Sequence, residues 1–332
     1  MKRMRVTAAA AVIVSAATLA YALWNADLAA LWQSLRGMRG WATVPFLAIL
    51  FVFFLTNARR WALMLRPFCR YRTAQVAPAM MIGLAGNNVL PLRLGELVRT
   101  VVFASSAGQP RSGVLSTLVA ERLLDLIAIL TVFIVGLLLL DDPPTALRVS
   151  AWTAGVALAV LSTAMIPLVA WPAWADRAYA GISRRLPESV AARGAVYLAQ
   201  FRRGFAFLSQ PKLAGEVAVL SLVRWLLAVA LVWLSVAAYG EEISVPVAMA
   251  TLGVTAFAVS LPSAPGFVGP IQAAFVITLT PFGLTHETAL AASIFFLVGH
   301  WLPVTAVGAM YFVGHDWSFG RIRSEAQAIA EA

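Results

Sequence analysis

Long apolar runs, separated by short polar connectors, make up most of the chain. Six of these runs are each long enough to cross about 30 Å of hydrocarbon as a helix that rises about 1.5 Å per residue. They cover residues 6–24, 41–57, 114–140, 149–171, 213–239 and 289–312. The pattern predicts an all-α integral membrane protein with six full spans.

Two further apolar stretches, 74–105 and 246–282, are interrupted near the middle, at 87–91 and 262–266. Each stretch fits either two complete helices or one broken, re-entrant hairpin. The second limb of each stretch is short for a complete crossing, which favours the hairpins. A bundle of eight full spans is the alternative.

Basic residues are distributed unevenly among the predicted connectors, and short cytoplasmic loops are enriched in Lys and Arg. The basic side holds both termini, the connector 174–212 and the connector after the second span. Arg59, Arg60, Arg66, Arg70 and Arg72 are assigned to the connector after the second span. Both termini are therefore expected on the cytoplasmic side of the cytoplasmic (inner) membrane.

With this orientation, the two halves of a single transmembrane domain, 1–332, mirror each other. Residues 1–140 and 149–313 each contain a span, a connector, a span, an interrupted stretch and a span, in opposite orientations. Inverted repeats with broken helices near the midplane are typical of secondary transporters. The order of elements therefore predicts a substrate site where the two breaks meet.

The composition agrees with a chain that is solvated by lipid. Hydrophobic residues make up 61% of the chain and charged residues 12%, and the mean hydropathy is +0.83. Soluble domains contain about twice that share of charged residues. The formal net charge of +10 comes from basic residues in the connectors, so no nucleic-acid partner is expected.

A lone cysteine, Cys69, excludes an internal disulfide. The sequence contains no metal-binding or nucleotide-binding motif, so no cofactor or metal is expected.

The basic cytoplasmic connector 174–212 contains an amphipathic pattern. Leu198, Phe201, Phe205 and Leu208 fall on one helical stripe, with arginines beside it. A helix of this kind is expected to lie in the headgroup plane with its apolar face toward the acyl chains.

Charged side chains inside the apolar segments are the main indication of a functional site. They are Arg93, Glu96, Arg99, Glu121, Arg122, Asp125 and Arg224. A charge near the bilayer centre costs about 2.5–3.5 kcal/mol on insertion scales, so such groups are normally paired and face protein or a wet cavity. Arg122 is expected to pair with Asp125 at i+3.

The seven charged side chains comprise four arginines and three carboxylates, which leaves one positive charge. Arginine can hold a phosphate through two parallel N–H bonds, so the surplus suits an anionic ligand such as a lipid phosphate. The alternative is a self-neutralising lock between helices. The two backbone breaks favour a ligand site, because a lock does not need them.

The two breaks supply polar groups and free backbone. Unpaired backbone within a membrane needs polar partners, and small residues let backbone approach a ligand closely. The predicted substrate-binding residues comprise the seven charged side chains together with Asn87, Asn88, Pro262, Pro265, Gly266, Gly269 and Gln272. His300, alone in the last span, is expected to be a hydrogen-bonded packing residue.

Three segments carry a resemblance to a known family. They read NNVLPLRLGELVR at 87–99, ERLLD at 121–125 and PSAPGFVG at 262–269. In this order they resemble the three motifs of the lysylphosphatidylglycerol synthase transmembrane-region family, also called the flippase-like family, whose hopanoid-associated branch the chain also resembles. The similarity extends over nearly the whole chain.

The resemblance implies handling of phospholipids or isoprenoid-type lipids, with a polar headgroup moved between leaflets. It does not imply synthesis, because members with synthase activity carry a soluble aminoacyltransferase domain after the membrane region. The third motif usually reads Gly-Gly-Leu-Gly, followed three residues later by Glu. Here Phe267 replaces the second Gly and Gln272 replaces the Glu, so the resemblance implies no proton- or cation-coupled carboxylate at that position.

The sequence therefore predicts a lipid flippase or lipid transporter rather than an enzyme. Its expected partners are membrane lipids with an anionic headgroup, and coupling to a proton or another ion stays open, as does the oligomeric state. The alternative from another class is a membrane-embedded lipid-modifying enzyme, or a subunit that presents lipid to a separate transferase.

Overall fold

The computed structural model describes residues 2–320, except residues 25, 91–93, 171, 186, 261–262, 316 and 319. For parts of 2–10, 146–178 and 189–201 it describes the backbone alone. Two predicted site residues, Arg93 and Pro262, lie outside the described residues, as does Pro91 of the first break. The basic residues near the C-terminus, Arg321 and Arg323, also lie outside them.

The described residues form α-helices joined by short 3-10 segments and turns. In chain order the helices are α1 (Lys2–Leu23), α2 (Leu28–Arg36), α3 (Thr43–Met64), α4 (Thr73–Val89), α5 (Gly95–Ala107), α6 (Arg111–Leu138), α7 (Thr145–Ala170), α8 (Pro172–Ser183), α9 (Glu188–Gly204), α10 (Pro211–Ala237), α11 (Val245–Ser260), α12 (Pro270–Leu279) and α13 (His286–Gly314). The prediction of an all-α protein is confirmed for this part of the chain.

Helices occupy each of the six predicted apolar runs. Within the described residues, four stretches are long and apolar enough to cross a membrane: Gly40–Met64, Pro211–Ala237, Pro265–Phe282 and His286–Gly314. One bent pair, Ala11–Leu23 with Leu28–Arg36, meets the same criterion as a unit with an angle of 88°. The chain is therefore a multi-pass helical membrane protein.

The second predicted span extends beyond its predicted end. The sequence pattern ends this span at Asn57, but α3 continues to Met64, because apolar residues resume after Arg60 and are buried from Trp61 to Leu65. Arg60 was assigned to a cytoplasmic connector, and that assignment is wrong. It lies inside the helix and its side chain is fully buried.

The first interrupted stretch forms two helices, α4 and α5, packed against each other. Their close approach requires glycine at Gly95. A Cβ there would overlap the carbonyl oxygen of Gly83 and lie 2.5 Å from the backbone nitrogen of Asn87. The backbones can therefore lie side by side immediately after the break, and this places Glu96 beside Asn87.

The second interrupted stretch also forms two helices in contact, α11 and α12. The expectation that its second limb is short for a crossing is wrong, because Pro265–Phe282, with its flanking 3-10 turns, is long and apolar enough to cross a membrane. Between α11 and α12, Gly266 and Gly269 adopt φ values of 80° and 97°, which glycine reaches without steric cost. Phe267 has φ 59°, in the left-handed region where a side chain is disfavoured. The turn is also tied to α1, because the amide of Ala264 donates to Oγ of Ser15 at 2.8 Å.

The end of the basic connector packs on protein. The predicted helical stripe is carried by α9, which ends at Gly204, and Gly204 packs against α6. Phe205 and Phe207 are buried in a cluster with Leu213 and Val217 of α10. The expectation that Phe205 faces acyl chains is therefore wrong, because α6 and α10 already supply the apolar surface that it needs.

Candidate functional site

A cluster of charged side chains connects four helices in the interior of the bundle. Its described members are Arg60 of α3, Glu96 and Arg99 of α5, Glu121, Arg122 and Asp125 of α6, and Arg224 of α10. Each of them has an ion-pair partner within 4 Å. The structure thus brings the predicted intramembrane charges of the described residues into one network.

Arg60 is a central member of the network that sequence reasoning missed. Its Nη1 lies 2.6 Å from Oδ1 of Asp125, and its Nη2 lies 3.4 Å from Oε1 of Glu121. It also donates to Oγ of Ser221 at 3.2 Å and to Oδ1 of Asn57 at 3.1 Å. The signal that could have found it is the apolar sequence from Trp61 to Leu65, which extends the span past the two arginines.

Glu121 and Arg99 form a bidentate cross-helix pair in the buried layer of the network. The two guanidinium nitrogens of Arg99 donate to the two carboxylate oxygens of Glu121, at 3.3 and 2.9 Å. The guanidinium also stacks over Trp61, with 3.8 Å between Cζ and the ring centroid. Both charged side chains are almost fully buried. Paired and stacked in this way, they brace α5 against α6 and α3.

Arg122 meets its predicted partner Asp125 only at 3.9 Å. Its nearest carboxylate is that of Glu96, at 3.1 Å, followed by that of Glu121 at 3.3 Å. Asp125 in turn lies nearer to Arg60 and to Arg224, whose Nη1 is 3.3 Å away. The i+3 spacing indicated a pair, but contacts from other helices are the closer ones.

A cavity of about 280 Å³ lies beside this network. Arg122, Glu96 and Arg224 line it, and their side chains are 46%, 25% and 10% exposed. Arg99, Glu121 and Asp125 are buried and do not line it. The network therefore has an accessible layer and a buried layer, and Arg122 is its most accessible cation.

Residues of the first break line the same cavity. Asn88 donates to Oγ1 of Thr305 at 3.0 Å, and Nε1 of Trp301 donates to the carbonyl of Asn88 at 3.4 Å. These bonds connect the end of α4 to α13. Oδ1 of Asn87 and Oε2 of Glu96 are buried without a hydrogen-bond partner among the described residues, so the wall retains two free polar acceptors.

The second break contributes Gly266 and Phe267 to the cavity wall. A Cβ at Gly266 would lie 3.2 Å from Nε1 of Trp301, so glycine allows the turn to approach α13. Pro265, Gly269 and Gln272 do not line the cavity. Oε1 of Gln272 instead accepts from the amide of Gly269 at 2.7 Å and caps α12, which satisfies a donor that the helix start leaves free.

His300 lies in the cavity wall rather than in a packed core. Its ring is surrounded by Phe53, Phe54 and Phe296, with centroid distances of 6.2, 5.5 and 6.4 Å. The expectation of a packing role holds only in part, since one face of the histidine is turned to the cavity. The aromatic side chains make this part of the wall apolar, and Cζ of Arg224 lies over the Phe53 ring, 5.0 Å from its centroid.

The charges of the site do not balance. The described cluster has four arginines, Arg60, Arg99, Arg122 and Arg224, and three carboxylates. The count made from the sequence included Arg93, which lies outside the described residues, and omitted Arg60. With Arg60 included, the described cluster has one surplus positive charge. Nε of Arg224, like those of Arg60 and Arg99, has no hydrogen-bond partner there. The arrangement can accept an anion beside Arg122 and Arg224.

No group of three or more His, Cys, Asp and Glu side chains in the described part of the chain is arranged to hold a metal ion. The polar side chains that line the cavity carry guanidinium, carboxylate, amide, hydroxyl, imidazole and indole groups. The fold and site define a multi-pass helical membrane protein with a partly charged, otherwise apolar cavity between two interrupted helix pairs.

The chain belongs to the family described as the lysylphosphatidylglycerol synthase TM region, whose sequence profile matches residues 8–308. This confirms the resemblance that the three motifs carry, and the match includes every residue of the charged cluster. The family description indicates a lipid-related membrane function. Among curated proteins, no significant match to the chain is found.

Proposed function

We propose that this protein moves an anionic phospholipid or isoprenoid-type lipid between the leaflets of the cytoplasmic membrane, as a flippase or lipid transporter rather than an enzyme. The headgroup binds in the cavity beside Arg122 and Arg224, and the two interrupted helix pairs surround it. Family membership supports the lipid as the class of substrate.

The proposal includes an arrangement in the membrane. Both termini are cytoplasmic, α4 with α5 forms a hairpin that returns to the cytoplasmic side, and α11 with α12 forms a hairpin that returns to the outside. The two halves are then inverted repeats of each other. Secondary transporters built this way bind substrate near the midplane, where the breaks meet.

The observation that carries the proposal is the accessible, unbalanced charge of the cavity. A structural lock is expected to be buried and neutral, as the Arg99–Glu121 pair is. Arg122 contacts three carboxylates yet stays 46% exposed, and one positive charge of the cluster is uncompensated. Cationic side chains that line a wet cavity within a membrane are typical of ion and substrate pathways.

Glu96 is the carboxylate that we propose for any proton or ion coupling. Glu121 and Asp125 are buried between arginines, so their charges are fixed by their partners. Glu96 lines the cavity, and its Oε2 has no hydrogen-bond partner among the described residues.

Reconstitution into vesicles tests this function. Purified protein should accelerate the transbilayer movement of a fluorescent phosphatidylglycerol, and Arg122→Gln should slow it by about tenfold or more, because a charged hydrogen bond contributes about 1.5–3 kcal/mol. Arg148→Gln is the matched control, since Arg148 forms an exposed ion pair with Asp142 outside the cluster. Equal rates for wild type and a folded Arg122→Gln variant would contradict the proposed site.

The same vesicles distinguish the alternative class. Mass spectrometry of the recovered lipid should show phosphatidylglycerol unchanged in mass. A new covalent lipid product that disappears in Arg122→Gln would replace the transporter proposal with a lipid-modifying enzyme.

A further inference from the structure

An apolar groove of about 410 Å³ lies next to the polar cavity, between α3, α4 and α13. Its wall consists of aliphatic, methionine and aromatic side chains, and it includes Phe51 and Leu55 of α3, Met80 of α4, and Val307 of α13. The groove has almost no polar lining.

The groove and the cavity adjoin each other. Phe54 and Val304 line both of them. A second connection runs through Asn57, which lines the cavity and donates from Nδ2 to the sulfur of Met80 in the groove at 3.3 Å. A single ligand can therefore occupy both spaces if it has a polar end and an apolar end.

The outer rim of the groove faces the lipid. Phe51 is 70% exposed, and Leu47, Leu55 and Val307 at the same rim are also exposed. On a membrane-spanning helix, exposed apolar side chains contact acyl chains. The groove is thus open to the bilayer on one side and reaches the polar cavity on the other.

We infer that this groove holds an acyl chain of the lipid whose phosphate lies beside Arg122 and Arg224, and that the lipid reaches the cavity laterally between α3 and α13. The inference rests on the proposed binding of an anionic lipid in the cavity. It narrows the substrate to a phospholipid-like amphiphile, because a water-soluble anion would leave the groove empty. Methionine-lined apolar surface adapts to chains of different length and unsaturation.

Photolabelling tests the inference. Protein in nanodiscs of phosphatidylcholine is given a small fraction of phosphatidylglycerol that carries a diazirine on its acyl chain, and the labelled residues are mapped by mass spectrometry. Labelling at Phe51 and Val307 should exceed that at Val298, an exposed valine of α13 outside the groove. Excess unlabelled phosphatidylglycerol should compete with it, and excess phosphatidylcholine should not.

Two variants on the same helix give a matched comparison. Val307→Phe adds a ring to the groove and should lower the competed labelling by about fivefold or more, as expected for overpacking of an occupied site. Val298→Phe makes the same change on the lipid-facing surface and should leave it unchanged. Uniform labelling of groove and surface, or an unaffected Val307→Phe, would overturn the inference.

The photolabelling experiment and the transport assay test different claims and can fail independently. Competed labelling in the groove without transbilayer movement would refute the flippase and leave the lipid groove standing. Transbilayer movement that depends on Arg122, combined with uniform labelling, would refute the groove and leave the flippase standing.

Discussion

Asp125→Asn tests whether the charged cluster is essential to the fold. Asp125, like Glu121, lies within 4 Å of three arginines: Arg60 at 2.6 Å, Arg224 at 3.3 Å and Arg122 at 3.9 Å. The amide keeps the shape and one acceptor oxygen but removes the negative charge. The described cluster then changes from one surplus positive charge to two, in a region where Arg60 is shielded from water.

Breaking a buried ion pair by removing one partner costs about 3–5 kcal/mol, because the other charge stays buried without compensation. The two remaining carboxylates reduce this cost, but Glu121 already has Arg99 as its closest partner. We therefore expect Asp125→Asn to lower the free energy of unfolding by about 3 kcal/mol, at the low end of that range.

The assay is SDS-driven unfolding in mixed micelles, followed by tryptophan fluorescence, with Asp142→Asn as the control. Asp142 pairs with Arg148 and is 89% exposed, so the same chemical change there should cost less than about 1 kcal/mol. The double variant Arg60→Gln with Asp125→Asn restores the original net charge. It should be less destabilised than the sum of its single variants, with a coupling of about 1–3 kcal/mol.

Two outcomes would refute this reasoning. One is a loss for Asp125→Asn no larger than that for Asp142→Asn, which would mean that the buried layer does not need its charge balance. The other is strict additivity of the Arg60 and Asp125 changes, which would mean that their short contact carries no coupling.

Two further predictions concern the first hairpin. Gly95→Ala should destabilise the protein by about 1–3 kcal/mol through overpacking. Gly155→Ala is the control and should not destabilise it, because a Cβ added there meets no atom within 4 Å. Equal melting temperatures of the two variants in detergent would contradict the close approach of α4 and α5. In a Cys69→Ser background, a cysteine at Ser105 should react with an impermeant maleimide only from the cytoplasmic side, and labelling from the outside would contradict the hairpin.

Several features of the fold could be predicted from the sequence because they depend on local pattern alone. Apolar runs of about 20 residues have few folded alternatives in lipid to a helix, so the helices occupy the predicted runs. Interruptions near 87–91 and 262–266 could be predicted from their prolines, which disfavour a continuous helix. The structure places the first interruption later than predicted, because α4 continues through Asn87 and Asn88 to Val89, and Pro78 and Pro303 lie inside helices. The charged side chains of α5 and α6 were identifiable because a charge in an apolar segment stands out regardless of its partners.

The partners of those charges could not be predicted. Spacing along α6 indicated an Arg122–Asp125 pair, but Glu96 of α5 is the nearer carboxylate for Arg122. A pairing distance depends on how two helices approach each other, and here Gly95 sets the approach of α5 to α4. Sequence separation carries no information on that approach.

The burial of Arg60 could not be predicted from the sequence either. Its position beside Arg59 and near a basic connector is typical of a cytoplasmic loop, and the positive-inside pattern assigned it there. Only the packing of α3 against α6 and α10 shows that it contacts Asp125 and Ser221. The longer α3 and the buried Trp61 follow from the same packing.

Tertiary structure also decided the roles of small and polar residues at the second break. Gln272 and Gly266 are six residues apart in the sequence, yet one caps α12 and the other lines the cavity. Phe267 adopts a left-handed φ at the position where the family motif has Gly. The sequence alone determined that the chain is a helical membrane protein with charged side chains inside its apolar segments and with two interrupted helices. The three-dimensional packing alone decided which of those charges face the cavity, because exposure is a property of neighbouring helices and not of local pattern.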